Sequence, residues 1–378
     1  MNRESPYRKG TICPRGKKFL SAFLDLLLTF VLTMVFFAVS DVVISHLPSY
    51  VQSQEKASLY QENLYQIVES SHLGIRENGV LLSEEEVAER TLKSATLEAL
   101  LLFRNPDEIS EKYQDVEPLS RENDPLYGYY VTFKKKEQNS FLSDESDYEE
   151  ILLQAGMFEE REEGWLGLKK EWAEKINSYV VHGLLSNKED YDEALSTYTK
   201  LISDAQQDLI ENYQPYRTEI GLFDEERDKI LSYRGNGLLL SFLLATLVLY
   251  LLLPLILKEG RTLSFLFLHL AQVDVSGRRY GPLNAVLFYL LSLLSSAFLP
   301  FLSCLVLFGA EGVLFLHVSL LGFVNLFLLM ILSFVYLLLS SLFDLWKRKD
   351  IHQTLTQFLS LTVLRDTSTW VVEDEKGK

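Results

Sequence analysis

Residues 19–43 read FLSAFLDLLLTFVLTMVFFAVSDVV, an apolar run broken by two aspartates, Asp25 and Asp41. A helix that crosses about 30 Å of hydrocarbon needs ~20 such residues. The run follows a basic approach containing Arg8, Lys9, Arg15, Lys17 and Lys18. It is longer than a signal-peptide apolar region and no A-x-A-like cleavage site follows, so it is expected to stay as an anchor over 19–45. Three further stretches have the same character: 237–257 (GLLLSFLLATLVLYLLLPLIL), 284–307 and 313–343. The fold class expected is therefore an all-α integral membrane protein with four transmembrane helices. A mostly helical domain, residues 46–236, is inserted between the first and second.

Lys and Arg in short flanking segments set the orientation of such a chain. The segment before Phe19 has six basic residues; 258–283 has Lys258, Arg261, Arg278 and Arg279; 344–378 has Lys347, Arg348 and Lys349. The turn Gly309–Gly312 between the third and fourth spans has none. All three basic segments fall on one side if both termini, 1–18 and 344–378, are cytoplasmic in a bacterial plasma membrane. Residues 46–236 are then extracytoplasmic.

Charge segregates in the same way. Residues 46–236 carry 40 acidic and 20 basic side chains, whereas the rest of the chain carries 12 and 16. This division excludes a nucleic-acid binder with one broad basic face. With only Cys13 and Cys304, both outside the acidic block, no disulfide can staple it.

Within the block, Ser83-Glu84-Glu85-Glu86 is a capping box opening a helix to about Arg104, and Ser146–Glu149 is a second box. Leu195, Tyr198, Ile202, Ala205 and Leu209 recur at helical spacing, one apolar seam on a long helix ending near Pro215. The aromatic, β-branched run Leu126–Phe133 (LYGYYVTF) is expected to be a short strand. Tyr50–Ser70 and 224–236 are expected as helical stalks. The glutamate runs, including Glu159–Glu163, are expected as solvated helix faces rather than a metal site, since no D-x-[DN]-x-[DN]-G loop occurs and His72 and His182 stand far apart.

No G-x-G-x-x-G, Walker A, H-E-x-x-H or G-x-S-x-G pattern is present. Ser53 and Lys56 have Ser-x-x-Lys spacing without its companion elements, and Cys13 has no histidine near it in sequence. No catalytic residue, metal or cofactor is expected.

Ionisable groups within a span are functional candidates by default. Asp25 lies about two turns into the first span, with Lys17 and Lys18 two turns earlier; it is either an ion-exchanging carboxylate or an anchor of helix packing. Asp41 is expected to be wet, and His317 is a candidate proton relay or a partner of a backbone carbonyl. Segments 258–283 and 351–372 are too polar to span and too apolar to float, and so are expected as an inner-leaflet layer against lipid or the protein's own bundle.

The positions just named carry a resemblance. Lys18–Asp25 (KFLSAFLD) resembles the opening R-x-x-A-x-x-x-D pattern of the RDD family of bacterial membrane proteins, with lysine for arginine and Ala22 one place displaced. Gly260-Arg261-Thr262-Leu263 resembles its G-x-T-L-G-K stretch, and Gln353-Thr354-Leu355-Thr356-Gln357 followed by Thr362-Val363 resembles its closing pattern. Gln357 stands where that pattern has an aspartate. The resemblance covers the two ends of the chain and implies candidate positions Gly260, Thr262, Gln357 and Thr362, with cation/proton antiport suggested for some members.

Two functions follow. One is an interaction or assembly scaffold, whose outer domain binds an extracytoplasmic protein partner while the bundle sits in the lipid bilayer. The other is a secondary transporter exchanging a cation for protons at Asp25. The absence of Asp, Glu, Lys and Arg from 237–257 and 284–307 favours the scaffold.

Overall fold

A computed structural model describes residues 11–143, 148–162, 164–257, 260–274, 280–307, 319–320, 324–346 and 354–368. The chain divides into two compact units, one formed by Met1–Gln54 with Arg227–Lys378 and the other by Glu55–Glu226.

Among the described residues, four helices are long and apolar enough to cross a membrane, over Arg15–Ser45, Gln214–Ile256, Pro282–Ser303 and Leu326–Phe343. Hydroxyls within them bond back to the preceding turn, which satisfies them in apolar surroundings. Thr29 donates to the Asp25 carbonyl at 2.7 Å, Thr33 to that of Thr29 at 2.7 Å and Ser241 to that of Gly237 at 2.7 Å. Val31, Val35, Val39 and Val42 of the first helix are exposed. Such a stripe suits a lipid-facing surface and is rare on a soluble monomer. Phe37, Leu238, Phe242, Ala297, Phe301 and Leu326 form one buried cluster behind it.

Two expected boundaries move. The third helix is interrupted at Ala297, between Pro282–Ser296 and Phe298–Leu307. The fourth starts at Leu326 rather than Val313, because Ser319–Leu320 pairs with Val324–Asn325 as a short antiparallel hairpin. Gly309–Gly312, His317 and the second capping box at Ser146 lie outside the described residues.

The described residues are mostly helical, as expected, and also include a three-stranded antiparallel sheet. Its strands are β1 (Thr11–Ile12), β2 (Leu270–Asp274) and β3 (Thr362–Asp366), with β3 central. A short helix precedes each long strand: α1 (Leu263–Phe267) before β2 and α2 (Leu355–Leu359) before β3. The two segments expected as a membrane-surface layer thus pair with each other. Their apolar side chains, Leu270, Ala271, Val273, Val363 and Leu364, are buried in the protein. Cys13, next to β1, is also buried, which pushes its thiol up to about 11 and keeps it unreactive.

The second unit is built on helices Glu84–Leu101, Lys170–His182 and Lys188–Asn212. Ser83 caps the first with a complete capping box, its hydroxyl accepting from the Glu86 amide at 3.3 Å while Glu86 accepts from the Ser83 amide at 2.8 Å. Tyr198, Ile202, Ala205 and Leu209 of the seam are buried, against Leu92 and Ala95 among others. Residues Pro48–Ser70 form a helix, as does 214–247.

Leu126–Phe133 is not a strand. Asp124 accepts from the amides of Leu126 and Tyr127 at 2.9 and 3.3 Å and so starts a helix with Pro125 at its first turn. The chain then widens into a π-helical turn, Gly128–Phe133. The aromatic rings that suggested a strand fill the core instead, and the Tyr129 hydroxyl donates to Asp208 at 2.8 Å. Glu159–Glu162 likewise lies on an antiparallel hairpin, Phe158–Glu162 with Trp165–Leu168, and not on a helix face.

Candidate functional site

The site grows from the turn after the second apolar helix. Gly260 has φ of +59°, and a Cβ there would fall 2.6 Å from the Tyr280 ring, so glycine is required. Two residues on, Thr262 is extended and its hydroxyl caps α1, accepting from the Phe265 amide at 3.4 Å. The same hydroxyl donates to the Asp25 carboxylate at 3.2 Å and lies 3.0 Å from the Ser264 hydroxyl. A capping threonine that is 1% exposed therefore joins the second helix's exit to the carboxylate of the first.

Behind the carboxylate, Tyr250 donates to the Asp25 carbonyl at 3.1 Å, and the Tyr250 and Thr29 hydroxyls are 2.7 Å apart. Asp25 is held through both its side chain and its backbone, and as a residue it is half-buried. It faces a cavity of about 390 Å³. Arg15, Lys18 and Ser21 line this cavity from the first helix, Ser292 and Ser296 from the third, Ser340 from the fourth, and Thr354 and Gln357 from α2. Lys18 is buried there.

The sequence-derived candidates distribute as follows. Asp25, Lys18 and Gln357 line one cavity, and Thr262 contacts Asp25. Gln357 also completes a capping box with Thr354, accepting from its amide at 3.2 Å while its own amide donates to the Thr354 hydroxyl at 3.3 Å. Thr362 is buried at the start of β3, its hydroxyl 2.9 Å from that of Ser360. Gly260 shapes the turn. Asp41, expected to be wet, has a side chain 36% exposed and pairs with Arg234 at 3.0 Å. Lys56 of the Ser-x-x-Lys spacing lies 3.8 Å from Glu226.

Thr29 and Tyr250 are not singled out in the sequence, Thr354 reads only as part of the closing pattern, and Ser264, Ser292 and Ser296 do not read as site residues. A signal existed for some of them: hydroxyls four apart in an apolar run at Ser292 and Ser296, and the T-x-x-Q capping pattern at Thr354–Gln357.

Comparison with family models, with curated proteins and with solved structures gives no match to this chain.

Proposed function

We propose that the membrane unit is a solute-binding unit centred on Asp25, acting as a secondary transporter that exchanges a cation or small cationic solute for protons. The observation that carries this is the 3.2 Å contact between Thr262 and the Asp25 carboxylate on the wall of a hydroxyl-lined cavity that also holds Lys18. An ionisable residue within a span is a functional candidate, and Asp25 shares the lining of a cavity large enough for a solute with Arg15 and Lys18.

The RDD resemblance supports the same assignment, since of the positions that carry it Asp25 and Gln357 line one cavity and Thr262 bonds the Asp25 carboxylate. In this proposal the protein lies in a bacterial plasma membrane, with both termini and the β1–β3 sheet cytoplasmic and Glu55–Glu226 outside. The test is exchange in inverted vesicles. Asp25→Asn should abolish cation-driven proton movement, and unchanged exchange would overturn the assignment.

The scaffold reading has its own support in the inserted unit. Leu184 and Leu185, just after the left-handed cap Gly183, are 48% and 81% exposed. Adjacent exposed leucines on a turn suit a contact with a protein partner. Crosslinking from position 185 in native membranes should capture one reproducible partner, which Leu184→Ser/Leu185→Ser removes.

A further inference from the structure

The segments 262–274 and 354–366 repeat one another, residue for residue. Thr262 and Thr354 cap their helices with their hydroxyls. The amides of Leu266 and Phe358 donate to the carbonyls of Thr262 and Thr354 at 3.0 and 2.9 Å, and those of Leu268 and Ser360 to Ser264 and Thr356 at 3.0 and 2.9 Å. The chain then leaves each helix through a left-handed residue that is not glycine, His269 and Leu361, both at φ of 55°. Such residues are uncommon, and these two fall at the same step. A strand of 5 residues follows in both copies and ends in aspartate, Asp274 and Asp366.

The ladder between the strands has the symmetry this implies. Leu270 lies opposite Asp366 and Asp274 opposite Thr362, with Gln272 opposite Leu364 at the centre. Each residue of β2 therefore faces the counterpart of its mirror position, which places a two-fold axis through the middle of the β2–β3 pair. A register slip of one residue in either direction would destroy the relation.

The apolar helices follow the same axis. Lys17, near the start of the first, donates to Asp366 at 2.7 Å; Asn284, near the start of the third, donates to Asp274 at 3.4 Å. Counting eight residues on from Lys17 and from Asn284 gives Asp25 and Ser292. Their carbonyls accept from Thr29 at 2.7 Å and from Ser296 at 2.6 Å, four residues further in each helix. The first helix packs on α1 and the third on α2.

We infer that the membrane unit is an internal duplication of two apolar helices, a threonine-capped helix and a strand, in which Ser292 with Thr354 forms the second copy of the Asp25–Thr262 half-site. The connection between the helices of the first copy carries Glu55–Glu226; in the second copy it is the short stretch from Leu307 to Leu326. Two crossings per copy keep both copies in one orientation, so the axis runs along the membrane normal, as in parallel-repeat carriers. The copies have diverged in charge. Lys17, Lys18 and Asp25 correspond to Asn284, Ala285 and Ser292, so the second half-site is neutral and hydrogen-bonding where the first is ionisable. Both face the same cavity, since Asp25, Ser292 and Thr354 all line it.

The equivalence of positions 25 and 292 can be read without any transport assay, and so independently of the function proposed above. Full-length protein in native membranes is treated with dicyclohexylcarbodiimide, an apolar reagent for membrane-embedded carboxyls, and the adduct is mapped by mass spectrometry. Wild-type chain should be labelled at Asp25, Asp25→Asn should lose that label, and Asp25→Asn/Ser292→Asp should regain it at position 292. A folded double variant left unlabelled at 292 would overturn the equivalence. Should that variant fail to fold, single cysteines at 25 and at 292, in a chain with Cys13→Ser and Cys304→Ser, answer the same question. Thiol reactivity follows exposure and surroundings, so the two should react with an aminoethyl methanethiosulfonate within about threefold of each other. Reaction at one position alone would overturn it.

Discussion

Lys17 and Asp366, 349 residues apart in the chain, meet in an ion pair of 2.7 Å. The contact fixes the start of the first apolar helix to the last residue of β3. Burial raises the Asp366 carboxyl, but the bonds from Lys17 and from the hydroxyl and amide of Ser368 outweigh it and hold the group below the usual carboxylate range.

A depressed folded value stabilises the fold above the unfolded carboxyl's pKa, about 4, and that stability is lost as pH falls through the folded value. Asp366→Asn should therefore lower stability at neutral pH by about 1–2 kcal/mol, because it weakens charge-assisted bonds to Lys17 and Ser368. Its melting temperature in detergent should respond less to acid than that of the wild type. Lys17 is more exposed than Asp366, but Lys17→Ala leaves the buried carboxylate, still bonded by Ser368, without that cation, so at neutral pH it should cost at least as much as Asp366→Asn. Equal acid sensitivity in Asp366→Asn and wild type would show that the pair is not the source.

Thr262 has two tasks, capping α1 and bonding Asp25, and a substitution series separates them from simple bulk. Thr262→Val keeps the shape and removes the hydroxyl, at a capping cost of about 1 kcal/mol. Thr262→Ser restores the hydroxyl. Cation/proton exchange in vesicles should fall with valine and recover with serine. If valine exchanges as well as wild type, the hydroxyl at Asp25 plays no part in the activity.

Gly128 sits where the π-helical turn crosses His72. A Cβ at 128 would lie 2.5 Å from the His72 ring carbon and 2.7 Å from its Cβ, too near the root of the side chain to swing aside. His72 is itself left-handed at φ of 67°. Gly128→Ala should destabilise the inserted unit by about 1–3 kcal/mol through overpacking. His72→Gly should remove both the obstruction and the strained backbone, so the double variant should be more stable than Gly128→Ala alone. The rate of tryptic cleavage within 55–226 of the full-length chain measures this, and strictly additive effects would contradict the contact.

The apolar runs announced four helices, and Ser83–Glu86 announced its cap, because those signals are local and complete within one or two turns. The sheet was hidden for the opposite reason. β2 and β3 are five residues each, and what makes them strands is pairing across 88 to 96 positions. Leu126–Phe133 misled because β-propensity measures the fit of a side chain to a half-buried surface, and Tyr129 and Phe133 found that surface in the core of a helical unit. Asp25 was legible as an ionisable residue in an apolar run. Its hydroxyl partners were not, since Thr262 and Tyr250 come from a different part of the chain and single hydroxyls are common in helices.

In the inserted unit, Glu98 and Arg161 pair at 3.1 Å with both side chains about a tenth exposed. Arg161 also binds Glu159 and the Leu168 carbonyl. Burial raises the Glu98 carboxyl, and the opposing pull of Arg161 does not cancel it. A raised folded value means that ionised Glu98 lowers stability at high pH, and that stability is gained as pH falls through the folded value. Arg161→Met strips the cation from a buried carboxylate and should cost about 3–5 kcal/mol at alkaline pH. As the medium is acidified Glu98 takes up a proton, the uncompensated charge disappears, and the deficit should shrink. Glu98→Gln/Arg161→Met carries no charge and should be closer to wild type at all pH values. Hydrogen exchange of the 92–100 amides at pH 8 and pH 5.5, corrected for intrinsic rates, follows all three chains. A deficit in Arg161→Met that does not change with pH would mean that lost packing of the guanidinium stem, and not the stranded charge, sets its cost.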